Sequence, residues 1–205
     1  LAYYEHNKLS KGNLILERLL KGENCAVLSD AGMPAISDPG LMLVRECAKN
    51  GVEVPCLPGA TAFVPALVGS ALPSDRFVFE GFLPQKKGRQ TKLNSLKDEE
   101  RTMIFYESPY RVLKSLTQFA EVFGAERQAA AVREISKLHE ECVRGTLAEL
   151  VQHFTANEPR GEFVIVVAGR DETDQAGQDS KPEQGQAEGK EGKEKHFSKY
   201  RNKQQ

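Results

Sequence analysis

Leu28-Ser29-Asp30-Ala31-Gly32-Met33-Pro34-Ala35-Ile36-Ser37-Asp38-Pro39-Gly40 is the stretch that decides how this chain is read. It follows Ala26-Val27-Leu28, a short apolar run that predicts the end of a buried strand. The stretch holds two Gly, two Pro and two Asp. Such a run cannot continue as strand or helix, because Pro lacks a donor and Gly disfavours ordered interiors. Loops of this kind at the carboxyl end of a parallel strand are where open α/β sheets bind ligands. A helix beginning near Leu41 would leave free backbone N–H groups pointing back at the loop. The stretch therefore predicts a small-molecule site.

A second unit follows. Val52-Glu53-Val54-Pro55-Cys56-Leu57 reads as a short strand, and Pro58-Gly59-Ala60-Thr61-Ala62 as a tight turn opening a helix. Two such units about thirty residues apart have the spacing of consecutive βα units in a parallel sheet. Either loop alone also reads as a plain turn; two in register favour a bound ligand.

The chain has 205 residues, 40% of them hydrophobic, and a formal net charge of -1, which suits a soluble globular protein. No apolar run approaches the ~18–20 residues that span a bilayer, so no membrane partner is expected. Leu1-Ala2-Tyr3-Tyr4-Glu5-His6-Asn7-Lys8 lacks the basic start and apolar core of a signal peptide. It reads as the middle of a loop, so an amino-terminal truncation that removes a first βα unit is expected. Cys25, Cys47, Cys56 and Cys142 are scattered without paired spacing, which predicts reduced thiols, no metal site and a cytoplasmic setting.

The remaining pattern predicts helices over 13–21, 41–49, 62–70, 112–123 and 146–154. Strands are predicted over 77–79, 102–106, 129–132 and 163–168, with a turn at Gly81-Phe82-Leu83-Pro84. Three regions follow: the remainder of an α/β domain over 1–72, a second α/β domain over 73–169, and a tail over 170–205. The tail is rich in Gln, Glu, Lys and Gly and predicts disorder. Its basic end suits either contact with RNA phosphates or a solubilising role.

Several segments together resemble one group within the tetrapyrrole methylase superfamily, the bacterial 16S ribosomal RNA cytidine 2′-O-methyltransferases. They are the 29–40 run, Leu57-Pro58-Gly59-Ala60-Thr61-Ala62 and Phe79-Glu80-Gly81-Phe82-Leu83-Pro84. The others are Phe105-Tyr106-Glu107-Ser108-Pro109-Tyr110-Arg111, the run from Arg133 to Glu141, and Arg160-Gly161-Glu162-Phe163. The resemblance implies two α/β domains with a cofactor cleft between them and S-adenosyl-L-methionine as methyl donor. It also implies a cytidine ribose in the decoding region of 16S rRNA as acceptor, the small ribosomal subunit as partner, and a homodimer. Met33 stands where the group usually has Thr.

On this reading Gly32, Met33, Ile36 and Ser37 contact the cofactor. Thr61 and Ala62 lie near its adenosine end, Asp30 orients the loop, and Tyr106 packs on the adenine. Arg133, Glu134 and Lys137 are the candidate catalytic residues: Glu134 or a Lys137 of depressed pKa would accept a proton, and Arg133 would bind a phosphate. An ion-pair network at a domain or dimer interface is the competing reading of that cluster. Lys86, Lys87, Arg89 and Lys92 form a basic loop suited to RNA phosphates, with a plain solvated loop as the alternative. Glu162 is left open between a structural and a site role. A superfamily enzyme acting on a tetrapyrrole or diphthine, and an inactive ribosome-binding fragment, are the other functions considered.

Overall fold

Strands β1 (Phe77–Phe82), β2 (Thr102–Glu107), β3 (Gln128–Arg133), β4 (Glu141–Thr146) and β5 (Phe163–Val167) form one sheet in the order β1-β2-β5-β3-β4. In the computed structural model residues 1–170 are described. From 171 onward the predicted tail lies outside them. β1 pairs with β2 in parallel, while β2–β5, β5–β3 and β3–β4 are antiparallel, so the sheet is mixed.

β5 sits at the centre with every residue buried. Its side chains alternate between two cores, as the period of two in a strand requires. Phe163, Ile165 and Val167 join Leu116 and Phe119 of α5 (Val112–Phe123) and Leu147 and Leu150 of α6 (Leu147–Ala156). Val164 and Val166 face Ala66 and Leu67 of α3 (Phe63–Ser70) on the other side. The α5 positions Val112, Leu116, Phe119 and Phe123 are buried at helical spacing. A capping box at Thr146 and Glu149 starts α6: the Thr146 hydroxyl accepts from the Glu149 N–H at 3.1 Å.

Residues 1–72 differ from expectation. They carry α1 (Lys8–Leu20), which begins earlier than predicted, α2 (Leu41–Lys49) and α3. The strands expected over 26–28 and 52–57 do not form. A strand exists through hydrogen bonds to a neighbour, and neither segment joins a ladder among the described residues. Val27, Leu28, Val54 and Leu57 accordingly stay exposed. The turn expected at 81–84 is also corrected: β1 runs to Phe82 through a bulge between Phe79 and Gly81. Among the strands and α-helices of the described residues, β4 and the short helix α4 (Arg89–Ser95) are not foreseen by the sequence pattern.

Two polar devices tie this frame together. Arg144 of β4 donates Nε to the Gly69 carbonyl at 2.7 Å, and its Nη2 also reaches that carbonyl. A guanidinium thus satisfies a carbonyl at the carboxyl end of α3, where the helix dipole favours positive charge. The second device is buried. Arg89 donates Nη2 to the Ser115 hydroxyl and Nε to Gln118, both at 2.7 Å, and Ser115 in turn donates to Glu107 at 2.6 Å. The Glu107 carboxylate also accepts from Arg111 at 2.8 Å and from the Ser108 N–H at 2.9 Å.

Each device makes a prediction. Glu107→Ala would leave the Arg89 guanidinium buried without its anion, a change that costs about 3–5 kcal/mol. Urea unfolding should show that loss, and Arg89→Met placed on Glu107→Leu should recover part of it; equal midpoints for wild type and Glu107→Ala would contradict the network. Arg144→Ala should cost on the order of 1 kcal/mol. It should raise amide exchange in α3 above that in α5, and Arg144→Lys should restore part of the protection.

Candidate functional site

The carboxyl ends of β1, β2 and β3 and the amino ends of β4 and β5 lie along one edge of the sheet, because Phe82 is opposite Tyr106, and Phe163 is opposite both Glu107 and Arg133. Tyr106 and Arg133 therefore stand at one edge, with Glu134 next in the chain, although they come from distant parts of the sequence.

The 29–40 loop is held by its own polar groups. Ser29 Oγ lies 2.7 Å from Asp38 Oδ2 and 2.9 Å from the Ala31 carbonyl. It is Asp38, rather than the expected Asp30, that this bond uses to shape the loop. Ala35 and Ser37 both have positive φ, at 67° and 57°. Non-glycine residues in that region store strain that persists only where the surroundings impose it, and such residues cluster at ligand sites. The loop meets its neighbours closely. A Cβ on Gly81 would fall 2.9 Å from Ser37 Oγ, and one on Gly59 3.3 Å from Met33 Cε. Gly81 also has φ +59°, so both space and backbone demand glycine there.

Tyr106 stands where these parts converge. Its ring meets Phe79 and Phe82 edge-on, with centroids 5.1 and 5.6 Å away. Burial raises the phenol pKa; the backbone N–H groups of Phe63 and Ala62 offset part of that rise, and the nearby Asp38 carboxylate adds to it. Those N–H groups belong to the amino end of α3, beside the half-buried Thr61. Gly32, Met33, Ser37, Thr61, Ala62 and Tyr106 thus surround one region. Met33, Thr61 and Tyr106 are half-buried there, and Asp30, Gly32, Ile36, Ser37 and Ala62 are exposed.

Further along the edge, Arg133 donates Nε to Glu141 at 2.6 Å. Glu134 has φ 50° and Ser136 φ 64°. The Glu134 N–H donates to the Glu162 carbonyl at 3.0 Å, and its Oε1 accepts from the Glu162 N–H at 2.9 Å. Lys137 Nζ bridges Glu134 and Glu162 at 3.0 and 2.9 Å. Glu162, left open by the sequence, is therefore the partner that closes this clamp. The Glu162 N–H and then Lys137 hold the Glu134 carboxyl below the usual range. The two carboxylates, Glu162 first, hold the Lys137 ammonium above its usual value. This corrects the expectation of a depressed lysine: its neighbours favour the charged form.

The basic segment also divides. Lys86 and Lys87 are exposed, and Lys92 pairs with Glu80 at 2.7 Å. Arg89 is only 6% exposed and donates inward, so it is corrected from a surface contact to a core residue.

The comparisons with known proteins agree with this architecture. The family of Tetrapyrrole (Corrin/Porphyrin) Methylases matches residues 5–151. A protein of Synechocystis sp. named Ribosomal RNA small subunit methyltransferase I is 48% identical over 170 residues, 82% of this chain and 61% of its own length. Proteins of the same name from Pseudomonas aeruginosa and Thermotoga maritima are 47% and 43% identical; this chain spans 61% and 77% of their lengths, and 82% and 83% of this chain is covered. The chain thus spans less than two thirds of the first two relatives. Among solved structures, diphthine synthase has a TM-score of 0.61 at 12% identity, covering 82% of this chain and 68% of its own. A uroporphyrin-III C-methyl transferase from Thermus thermophilus, complexed with S-adenyl homocysteine, has a TM-score of 0.57 at 18% identity, covering 85% and 78%. Likeness at such identities concerns the fold. With the family matched over most of its length and relatives this similar, the chain belongs to the tetrapyrrole methylases.

Proposed function

We propose that this chain transfers a methyl group from S-adenosyl-L-methionine to the ribose 2′-hydroxyl of a cytidine in the decoding region of 16S ribosomal RNA. The observation that carries this reading is the 43–48% identity to proteins named as small-subunit ribosomal RNA methyltransferases. When bound, the donor supplies a methyl on a sulfonium, open to in-line displacement by an oxygen nucleophile.

The residues present fit such a donor. The 29–40 loop approaches both the 57–62 turn and Gly81 closely: a Cβ on Gly59 would lie 3.3 Å from Met33 Cε and one on Gly81 2.9 Å from Ser37 Oγ, which leaves backbone and small side chains to line a ligand. Gly32, Met33, Ile36 and Ser37 would form one wall, and Asp30 would border it. Thr61, Ala62 and Tyr106 would form the other, with the Tyr106 ring held in place by Phe79 and Phe82. Positioning of this kind supplies much of the acceleration of a displacement.

Lys86 and Lys87 would meet RNA phosphates, with Lys92 behind them on α4. Arg133, Glu134 and Lys137 would act at the acceptor end. A carboxyl held below its usual range is a weak base, and a lysine held above its usual value keeps its proton. Glu134 therefore serves to hold Lys137, whose remaining N–H would stabilise the negative charge left on the acceptor oxygen when its proton passes to solvent water.

Methylation of purified small subunits by this chain would test the reading, with S-adenosyl-L-methionine binding followed by calorimetry. Lys137→Ala should lower kcat roughly tenfold or more, as loss of one electrostatic contact does, while donor affinity stays constant. The wild-type rate should show no inflection from Lys137 between about pH 7 and 9, because its partners raise its pKa. A rate that climbs across that window and flattens in Lys137→Ala would restore the lysine as base. Replacing both Lys86 and Lys87 with Ala should reduce the salt dependence of RNA binding by about two counterions.

A further inference from the structure

A pocket of about 140 Å³ opens beyond the Glu134–Lys137 clamp, between the ends of β3, β4 and β5 and the last turn of α6. Its lining includes Arg133, Glu141, His153, Phe154, Arg160 and Phe163. The volume holds several heavy atoms, since a water occupies ~30 Å³ of liquid.

His153 is the accessible ring: it meets Phe154 edge-on at 4.7 Å, and Phe154 meets Phe163 edge-on at 5.5 Å, both phenylalanines being buried behind it. One wall sets a donor beside an acceptor. Arg133 Nε donates to Glu141 Oε2 at 2.6 Å, and Arg133 Nη1 reaches the Arg160 carbonyl at 3.4 Å. This arrangement fixes the guanidinium plane and leaves the outer faces of the guanidinium and carboxylate side by side. Their side chains remain 27% and 42% exposed, so a ligand can reach them. At the rim Arg160 pairs with Glu158 at 3.2 Å.

The charges decide the ligand class. Two arginines are balanced by two glutamates, Glu141 and Glu158. A phosphate receptor needs an excess of positive charge, and a cation site an excess of negative. A flat neutral group that offers an amino donor beside a ring or carbonyl acceptor satisfies both members of the Arg133–Glu141 pair. Carboxylates accept from base amino groups and arginine donates to base acceptors, while the half-buried His153 ring can take a base face or edge. Phe163 is opposite both Glu107 and Arg133, so the pocket wall at β3 is two strand spacings, ~10 Å, from β2 and Tyr106.

We infer that this pocket receives an amino-bearing nucleobase of the RNA, read by the Arg133–Glu141 pair. The inference rests on the RNA methylation reading above and extends it from the acceptor ribose to a base.

The test is binding of the full chain to a hairpin of the 16S decoding region, followed by fluorescence anisotropy over a salt series. Glu141→Gln keeps the side-chain shape and removes an acceptor. It should weaken binding about tenfold, within the discrimination of a bidentate base contact, without changing the salt slope. His153→Ala should weaken binding in the same salt-independent way, and it leaves the ion pair intact if Glu141→Gln disturbs the fold. Donor binding should be unaffected in both. Unchanged hairpin affinity in both folded variants, while wild type binds, would overturn the inference and leave the methylation reading standing. Tighter binding with a steeper salt slope in Glu141→Gln, which frees Arg133, or a shallower slope in His153→Ala would also overturn it, by assigning the pocket to a phosphate. Failure of wild type to bind the hairpin would overturn the inference, while methylation of small subunits decides the function reading separately.

Discussion

Burial of β5 on both faces is the constraint on which the rest of the structure depends. A strand with one wet face can tolerate a loosely docked helix, but β5 has none. Phe163, Ile165 and Val167 need α5 and α6, while Val164 and Val166 need α3. Each fully buried side chain of this kind contributes ~1.5–3 kcal/mol relative to exposure. The preference for covering the second face is therefore large compared with any surface ion pair in the molecule. It draws α3 onto the sheet and carries the 57–62 turn to the edge where Tyr106 precedes the last residue of β2.

The polar bonds then turn apolar docking into a defined orientation. Hydrophobic contact between α3 and the sheet is non-directional and would allow sliding. Arg144 fixes one end of the helix through the Gly69 carbonyl, and the Tyr106 phenol lies near the N–H groups of Ala62 and Phe63 at the other. The buried Glu107 network acts one residue beyond Tyr106, tying β2 to Ser108, Arg111 and Ser115. Both faces of the edge are thus referenced to the same strand. A site assembled from three loops gains the precision of the sheet beneath it.

Much of this was legible in the sequence because it depended on local pattern. The buried stripe of α5, the apolar run of β5 and the Gly/Pro punctuation around 29–40 and 57–62 each carry their own period or turn chemistry. What failed depended on partners. The 26–28 and 52–57 runs have strand composition, yet composition cannot supply a ladder neighbour. β4 was hidden for the opposite reason: Glu141, Arg144, Gly145 and Thr146 read as polar loop, but pairing with β3 imposes extension on them. Arg89 looked like one more cation in a basic run. Only the tertiary positions of Ser115, Gln118 and Glu107 separate it from Lys86 and Lys87. The motifs name residues in several loops, while the contacts those residues make come only from geometry.

The Glu134–Lys137 clamp shows why geometry changes a role and not only a position. From residue types alone, a carboxylate and a lysine beside a hydroxyl acceptor suggest a base. Here each group stabilises the charged form of the other, and Glu162 reinforces both through a backbone N–H and a carboxylate. Moving a proton onto Glu134 or off Lys137 would work against three favourable contacts. The left-handed backbone at Glu134 and Ser136 is tolerated because those same contacts hold it. Strain retained in this way favours a fixed charge over a titrating one. A fixed ammonium suits a reaction whose acceptor hydroxyl gives its proton to solvent, since it stabilises the negative oxygen without reorganising before that charge goes into the new bond to carbon.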